Sequence, residues 1–124
     1  MKNDLNKLDV WKLSVTFSKN IYRLVDRFPR SELYGIISQL THATISISSN
    51  IAEGKGRFHR KEFIQFLFLA RGSAYECISL LATAKELGYI SVSEYNTYLS
   101  EIETINIKLN ALIKYLKLSL NDEL

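Results

Sequence analysis

Residues 48–57 read Ser48-Ser49-Asn50-Ile51-Ala52-Glu53-Gly54-Lys55-Gly56-Arg57 and separate two long segments of helical periodicity. Glycine commonly ends a helix, so Gly54 is predicted to stop the first segment, and Gly56 to turn the chain. Cations follow at once, before the second segment begins. The stretch therefore predicts two helices joined by a short, positively charged turn.

The chain has 124 residues, of which 47% are hydrophobic, and this is enough for one packed core in a single domain spanning residues 1–124. It contains only one proline and five glycines. A many-turned all-β fold needs more of both, whereas uninterrupted Leu, Ile, Lys and Glu segments favour helices. We expect an all-α protein.

Apolar periodicity predicts four helices, over about residues 9–28, 31–53, 60–87 and from residue 92 onward. Short connections join them, so consecutive helices should run antiparallel in an up-down-up-down four-helix bundle.

Capping residues mark the predicted helix ends. Asp9 and Ser31 are predicted to cap the first two helices, and Gly88 to end the third. Ser91 and Glu94 have the spacing of a capping box at the start of the fourth helix.

The net charge of +3 is unevenly distributed. Residues 1–61 contain eleven Lys or Arg and five Asp or Glu, a net of +6, whereas residues 62–124 contain five and eight, a net of −3. The first half is therefore the candidate for contact with an anionic partner.

The densest cationic run is predicted to bind nucleic acid by its phosphates, and Phe58 is the one aromatic within it. The alternative is a solvated turn whose cations contact Glu53. The predicted nucleic-acid-binding residues are Lys55, Arg57, His59, Arg60 and Lys61.

The third helix carries a second apolar stripe beside the one that faces the core. A monomeric bundle buries one stripe per helix, so the second indicates contacts between subunits of a homo-oligomer. The alternative is a wide buried face on one central helix. The predicted interface residues are Ile64, Phe68, Tyr75 and Ile78.

Polar residues of the second and third helices are predicted to lie level with each other around the turn. Gln39 and His42 should face Arg71 and Tyr75, with Glu76 one turn further on. A buried, paired network would fix helix register, and a ligand site is the alternative.

No catalytic or cofactor-binding pattern is present. Neither His42 nor His59 follows a glutamate by three residues, as a di-iron bundle site requires, and Gly54-Lys55-Gly56 is too short for a phosphate-binding loop. One cysteine and two histidines make a zinc site improbable. We expect a protein without enzymatic activity, cofactor or metal.

The single Cys77 fits a reducing compartment. The first seven residues lack an apolar signal core, and the chain lacks a stretch long enough to span a membrane. We therefore expect a cytoplasmic protein without membrane contact.

The sequence resembles the small bacterial proteins of unknown function that are encoded within intervening sequences of 23S rRNA genes. The resemblance covers nearly the whole chain, and its most specific blocks are Asn50-Ile51-Ala52-Glu53-Gly54 and Ala70-Arg71-Gly72-Ser73. Val10-Trp11-Lys12, Phe28-Pro29 and Leu87-Gly88-Tyr89 continue it.

The resemblance implies a four-helix bundle that assembles as a ring-shaped homopentamer, without established enzymatic activity and with a suspected role in nucleic-acid contact. Related proteins are accessory partners of reverse transcriptase in diversity-generating retroelements. Two positions depart from the family pattern, His42 for arginine and Ser48 for proline. By resemblance the polar set consists of Gln39, Asn50, Glu53, Arg57, Arg71 and Glu76.

Together these features predict a non-enzymatic homo-oligomer that binds nucleic acid, preferably RNA, through its basic turns. The competing interpretation is a scaffold or accessory subunit whose basic turns contact an acidic protein partner, such as a nucleic-acid enzyme.

Overall fold

The computed structural model describes residues 4–123, so residues 1–3 and Leu124 of the predicted domain lie outside the described part of the chain. This part is all-α, as predicted, with no strand. A short 3₁₀ turn, Asp4–Lys7, precedes four α-helices: α1 Asp9–Val25, α2 Ser38–Lys55, α3 Arg60–Glu86 and α4 Val92–Glu123.

The first two predicted helix starts need correction. Asp9 is the first residue of α1 and not its cap, and no side chain caps that helix. The second helix is also not continuous from Ser31. A 3₁₀ turn, Arg30–Glu32, and a π-helical turn, Leu33–Ile37, come before α2, because the backbone at Gly35 is not helical.

The corner between α3 and α4 confirms its sequence signals. Gly88 has a positive φ of 80°, and the Tyr89 N–H donates to the Ala84 carbonyl at 2.9 Å, which closes the helix end. The Ser91 N–H donates to Glu94 Oε1 at 2.9 Å, and the Glu94 N–H donates to Ser91 Oγ at 3.0 Å. These two bonds are the predicted capping box.

All four helices contribute apolar side chains to one core, among them Phe17, Leu40, Leu67 and Leu109. Helix α2 packs on α3 and on α1, and α4 packs on α3 and on α1. The α1–α2 contact is partly polar, because the Ser18 hydroxyl lies 3.2 Å from that of Thr44 inside the core. None of the helices in residues 4–123 is long and apolar enough to cross a membrane.

Candidate nucleic-acid interface

The predicted cations lie together on the connection between α2 and α3. Helix α2 ends at Lys55, Gly56 follows it, and α3 begins at Arg60 after an extended His59. Every side chain from Lys55 to Lys61 is exposed. We call residues 55–61 the basic turn.

Gly54 holds the basic turn close to α3, which differs from its predicted role as a helix stop. It is buried inside α2, and a Cβ atom built on it would lie 2.7 Å from Phe66 Cβ and 2.8 Å from Phe63 Cδ1. Only glycine fits at so close a helix contact. The helix therefore continues through Gly54 to Lys55, and the Arg57 N–H donates to the Gly54 carbonyl at 3.1 Å.

Arg57 is engaged within its own chain. Its guanidinium lies 2.7 Å from Glu53 Oε1 and 3.7 Å from Glu62 Oε2, and it stacks on the Phe66 ring at 4.9 Å. Two carboxylates therefore compensate its charge. The exposed lysines of the basic turn, Lys55 and Lys61, remain the better candidates for contact with phosphates.

The start of α3 adds a favourable electrostatic feature. This helix has 27 residues and begins at Arg60 without a side-chain cap. The backbone N–H groups of a first helical turn carry partial positive charge, and they favour anions beside them. Lys61 and the backbone of this turn favour anions, and Glu62 in the same turn offsets part of that positive charge.

Phe58 is the most exposed apolar side chain of the basic turn. Its relative exposure is 93%, and its ring meets His59 edge-on, with centroids 4.9 Å apart. The sequence marked it only as the aromatic within the cationic run. Its full exposure depends on the direction of the turn, which local composition does not encode.

Lys117 of α4 lies over α3 beyond the basic turn, and sequence reasoning missed this contact. Its Nζ lies 5.1 Å from the centroid of the Phe68 ring, and Lys61 lies two helical turns before Phe68 on α3. Lys61 and Lys117 are 56 positions apart in the sequence. Counting residues outward from the corner at Gly88 gives the register of α4 on α3. This register is the sequence signal that could have placed Lys117 over α3.

The predicted polar set is not one cluster. Gln39, His42 and Glu76 are exposed. Arg71 is half-buried and donates to Asn110 Oδ1 of α4 at 2.9 Å. The interpretation of a buried polar network therefore fails at Gln39, His42 and Glu76, because exposed side chains are not part of a buried network.

The remaining polar residues bond close to their own positions. Asn50 donates from Nδ2 to the Ser46 carbonyl at 2.8 Å and to Ser46 Oγ at 3.0 Å. Ser73 Oγ then donates to Ser46 Oγ at 2.8 Å, which ties α3 to α2. Glu53 pairs with Arg57. The Ser46–Ser73 bond fixes the register of α2 on α3, as in the structural alternative to a ligand site, and the other contacts are local.

The predicted interface residues have different environments. Ile64 is 4% exposed and belongs to the core of its own chain, so it does not face a second subunit. Phe68 and Ile78 are half-buried against the same core, and Arg71 and Lys117 both stack on Phe68. The second stripe of α3 is largely covered within the chain, with α4 packed beside it. Tyr75, at 61% exposure, is not.

A different apolar stripe stays uncovered on the outer face of α4. Ile107, Tyr115 and Leu118 are between 57% and 69% exposed, and Ala111 lies between them at helical spacing. Sequence periodicity did not single out this stripe, because Ile107, Tyr115 and Leu118 lie off the main apolar line of α4.

Two titratable groups outside the basic turn have shifted pKa values. Burial raises the pKa of the Cys77 thiol to about 12, so Cys77 is a neutral thiol at physiological pH and a poor nucleophile. Burial also raises the pKa of Glu101, which lines a cleft between α1 and α4 with Asn20 and Ile105. Neither residue adjoins the basic turn. Among the side chains of the described part, no three His, Cys, Asp or Glu residues are grouped to hold a metal ion.

Comparison with known proteins gives one family and a solved structure. The family model described as 23S rRNA-intervening sequence protein matches residues 6–111. A crystal structure from Bacteroides thetaiotaomicron, described as a protein with unknown function from the S23 ribosomal protein family, is 25% identical, with a TM-score of 0.79. The match covers 85% of this chain and 95% of that chain. A comparison with curated proteins gave no match.

Proposed function

The chain belongs to the 23S rRNA-intervening sequence protein family, and we propose that it binds nucleic acid, RNA in preference to DNA, through the basic turn. The observation that supports this proposal most directly is the exposure of Lys55 and Lys61 beside the uncapped start of α3. Cationic side chains and helix N-termini are the groups with which proteins contact phosphates.

Binding of this kind is multivalent and non-enzymatic. One turn offers few phosphate contacts, so its affinity for nucleic acid is low. Several copies joined in one assembly convert weak contacts into measurable affinity. The lack of a disulfide partner for Cys77 supports a cytoplasmic location.

The assembly that we propose is an up-down-up-down four-helix bundle that forms a homo-oligomer, with a pentamer as the expected state. Cross-helix contacts support the antiparallel arrangement: Ser46 meets Ser73 while Gly54 meets Phe66, and Arg71 meets Asn110. The uncovered stripe of α4 supports a contact between subunits, because exposed apolar patches on a helix commonly mark interfaces.

Sedimentation of the wild-type chain tests the assembly, with two substitutions. Ile107→Asp places a charge in the α4 stripe and should dissociate the oligomer. Val15→Asp, on the exposed face of α1, is the matched control and should leave it intact. A wild-type chain that sediments as a monomer at micromolar concentration would contradict the proposed assembly.

Binding to a labelled RNA tests the function, measured by fluorescence anisotropy at low salt. Substitution of both Lys55 and Lys61 by Ala should weaken binding strongly. Substitution of the exposed Lys19 and Lys108 by Ala removes the same charge elsewhere and should weaken it much less. Equal losses of RNA affinity in the two double variants would show that the basic turn contributes only through the overall charge of the protein.

The second candidate function is a scaffold that contacts an acidic protein partner. The exposed Lys55 and Lys61 favour it equally, because lysine side chains pair with the carboxylates of an acidic protein as well as with phosphates. A wild-type chain that binds neither RNA nor DNA at low salt would exclude the first function and leave this one.

A further inference from the structure

Phe58 exposes its ring to solvent, whereas other phenylalanine rings of this chain are covered. Its exposure is 93%, whereas Phe17, Phe28 and Phe63 are each less than 10% exposed. Burial of a phenylalanine side chain stabilises a fold by about 1.5–3 kcal/mol, and Phe58 forgoes nearly all of this. Its ring contact within the chain is the edge-on one with His59. At least one ring face is thus open to a ligand.

The surroundings of Phe58 select one kind of ligand. Lys55 precedes the ring by three residues, Lys61 follows it by three, and both are exposed. A flat, uncharged ring between two cations matches a chain of phosphates that carries flat bases. Aromatic rings in positively charged grooves are the usual stacking platforms for unpaired bases.

We propose that Phe58 stacks on an unpaired base, so that the basic turn recognises single-stranded nucleic acid rather than a duplex. This inference rests on the proposed function. In a duplex both faces of each base are covered by neighbouring base pairs, so a duplex meets the basic turn only through its phosphates. In a single strand a base can unstack and lie on Phe58 while Lys55 and Lys61 contact flanking phosphates.

Tyr34 provides the matched control. It is also 93% exposed and lies in the π-helical turn before α2, far from the basic turn in the sequence. Its neighbour Glu32 is acidic and accepts a hydrogen bond from the Tyr89 hydroxyl at 3.1 Å. Within four residues of Tyr34 the charges of Arg30 and Glu32 cancel, whereas within four residues of Phe58 there are four Lys or Arg and one Glu. Tyr34 thus has the exposure of Phe58 without its excess of positive charge.

The experiment uses the full chain with a short oligoadenylate RNA, an RNA duplex of the same length, and poly-glutamate as an acidic-peptide probe. Phe58→Ala should weaken binding of oligoadenylate by about 5- to 150-fold, the range that stacking of one base gives. It should leave duplex binding unchanged. Phe58→Trp should retain binding of the single strand, and Tyr34→Ala should match the wild-type chain with every probe.

Three outcomes would overturn the inference. The first is an unchanged affinity of Phe58→Ala for oligoadenylate while the Lys55 and Lys61 double variant loses it, a result that leaves the proposed function standing. The second is an equal loss of duplex and single-strand binding in Phe58→Ala. The third is binding of poly-glutamate as tight as that of RNA, which would assign the turn to an acidic protein. Failure of the wild-type chain to bind either RNA at low salt would remove both the function and the inference. Because Phe58 is exposed, circular dichroism should find each Phe58 variant folded.

Discussion

The basic turn and the connection between α1 and α2, residues 26–37, share several features, yet only one of them carries features of a binding site. Each exposes an aromatic side chain to 93%, and each contains an arginine 2.7 Å from a glutamate. The partners differ. Arg27 pairs with Glu94 at the start of α4, whereas Arg57 pairs with Glu53, four residues earlier in the last turn of α2.

The α1–α2 connection links distant parts of the chain. Phe28 packs against Tyr89 with ring centroids 5.3 Å apart, and Tyr89 donates to Glu32. Its charges are therefore used in holding α4 and the α3–α4 corner. In the basic turn, Arg57 contacts Glu53, Glu62 and Phe66, whereas the side chains of Lys55 and Lys61 are exposed. An exposed aromatic side chain is therefore a better candidate for contact with a ligand where the charges around it are exposed than where they are paired within the fold.

The largest expected effect on stability comes from substituting a glycine at each region, Gly54 at the basic turn and Gly35 in the α1–α2 connection. Gly54→Ala forces a Cβ against Phe66 and Phe63, including the Phe63 carbonyl at 3.2 Å, so the free energy of unfolding should fall by about 1–3 kcal/mol. At Gly35 the same change meets only Glu32 Oε1, at 3.1 Å, and a flexible carboxylate can move. Gly35→Ala should therefore lower the free energy of unfolding by less than Gly54→Ala does. Urea denaturation measures both.

Gly72→Ala is the control for Gly54→Ala, because both glycines lie within helices. A Cβ at Gly72 meets nothing within 4 Å, so this change should stabilise the fold by about 0.5–1 kcal/mol through helix propensity alone. If Gly54→Ala were also stabilising, the basic turn would not be held by a close helix contact.

The next effect concerns the two ion pairs. The pKa of Glu94 is lowered, first by the hydrogen bond from the Ser91 backbone N–H and then by Arg27. Glu94→Ala removes the capping box, so it should cost about 1 kcal/mol near neutral pH. Glu53→Ala removes an exposed local pair and should cost about 0.5 kcal/mol or less.

The effect of Glu94 should depend on pH in one direction. Because its folded-state pKa is lowered, the ionised carboxylate stabilises the fold above about pH 4.3, the ordinary value of an unfolded glutamate. This contribution is lost as the pH falls through the lower folded-state value. Denaturation at several pH values should thus find wild type and Glu94→Ala converging in acid. If the free energies of unfolding of the two proteins differed by the same amount at every pH, the charge of Glu94 would not be the source of the stabilisation.

The smallest expected effect is on the exposed rings themselves. Phe58→Ala and Tyr34→Ala should each change the free energy of unfolding by less than about 0.5 kcal/mol, because neither ring is covered by the fold. Thermal denaturation checks this. A loss several times larger at Phe58 would mean that its ring packs in solution and is not free to contact a ligand.

Local signals in the sequence predicted the helices and the α3–α4 corner well. Gly88, Ser91 and Glu94 act through bonds to residues at most five positions away, so their pattern is sufficient. The break at Gly35 and the role of Gly54 were not predicted. Composition does not reveal whether a glycine ends a helix or admits a neighbouring side chain.

The candidate site was only partly predictable, for a similar reason. The cationic run is contiguous and was found, whereas the contact of Lys117 with Phe68 depends on the packing of α4 on α3. The apolar periodicity of α3 predicted a second stripe on this helix, but it did not predict which part of the protein covers that stripe. Ile64 proved to be a core residue, and the uncovered stripe lies on α4, because helix rotation within the fold decides exposure.

The central claim, that phosphates bind the basic turn, is tested most directly by the salt dependence of RNA binding. The logarithm of the binding constant should fall linearly with the logarithm of the salt concentration between about 50 and 200 mM. Substitution of Lys55 and Lys61 by Ala should make the slope shallower by about 1.4 for a single strand, about 0.7 for each lost phosphate contact. Substitution of Lys19 and Lys108 by Ala should give the same slope as the wild-type chain. RNA binding with no salt dependence, or a slope that the Lys55 and Lys61 substitutions do not change, would contradict the account.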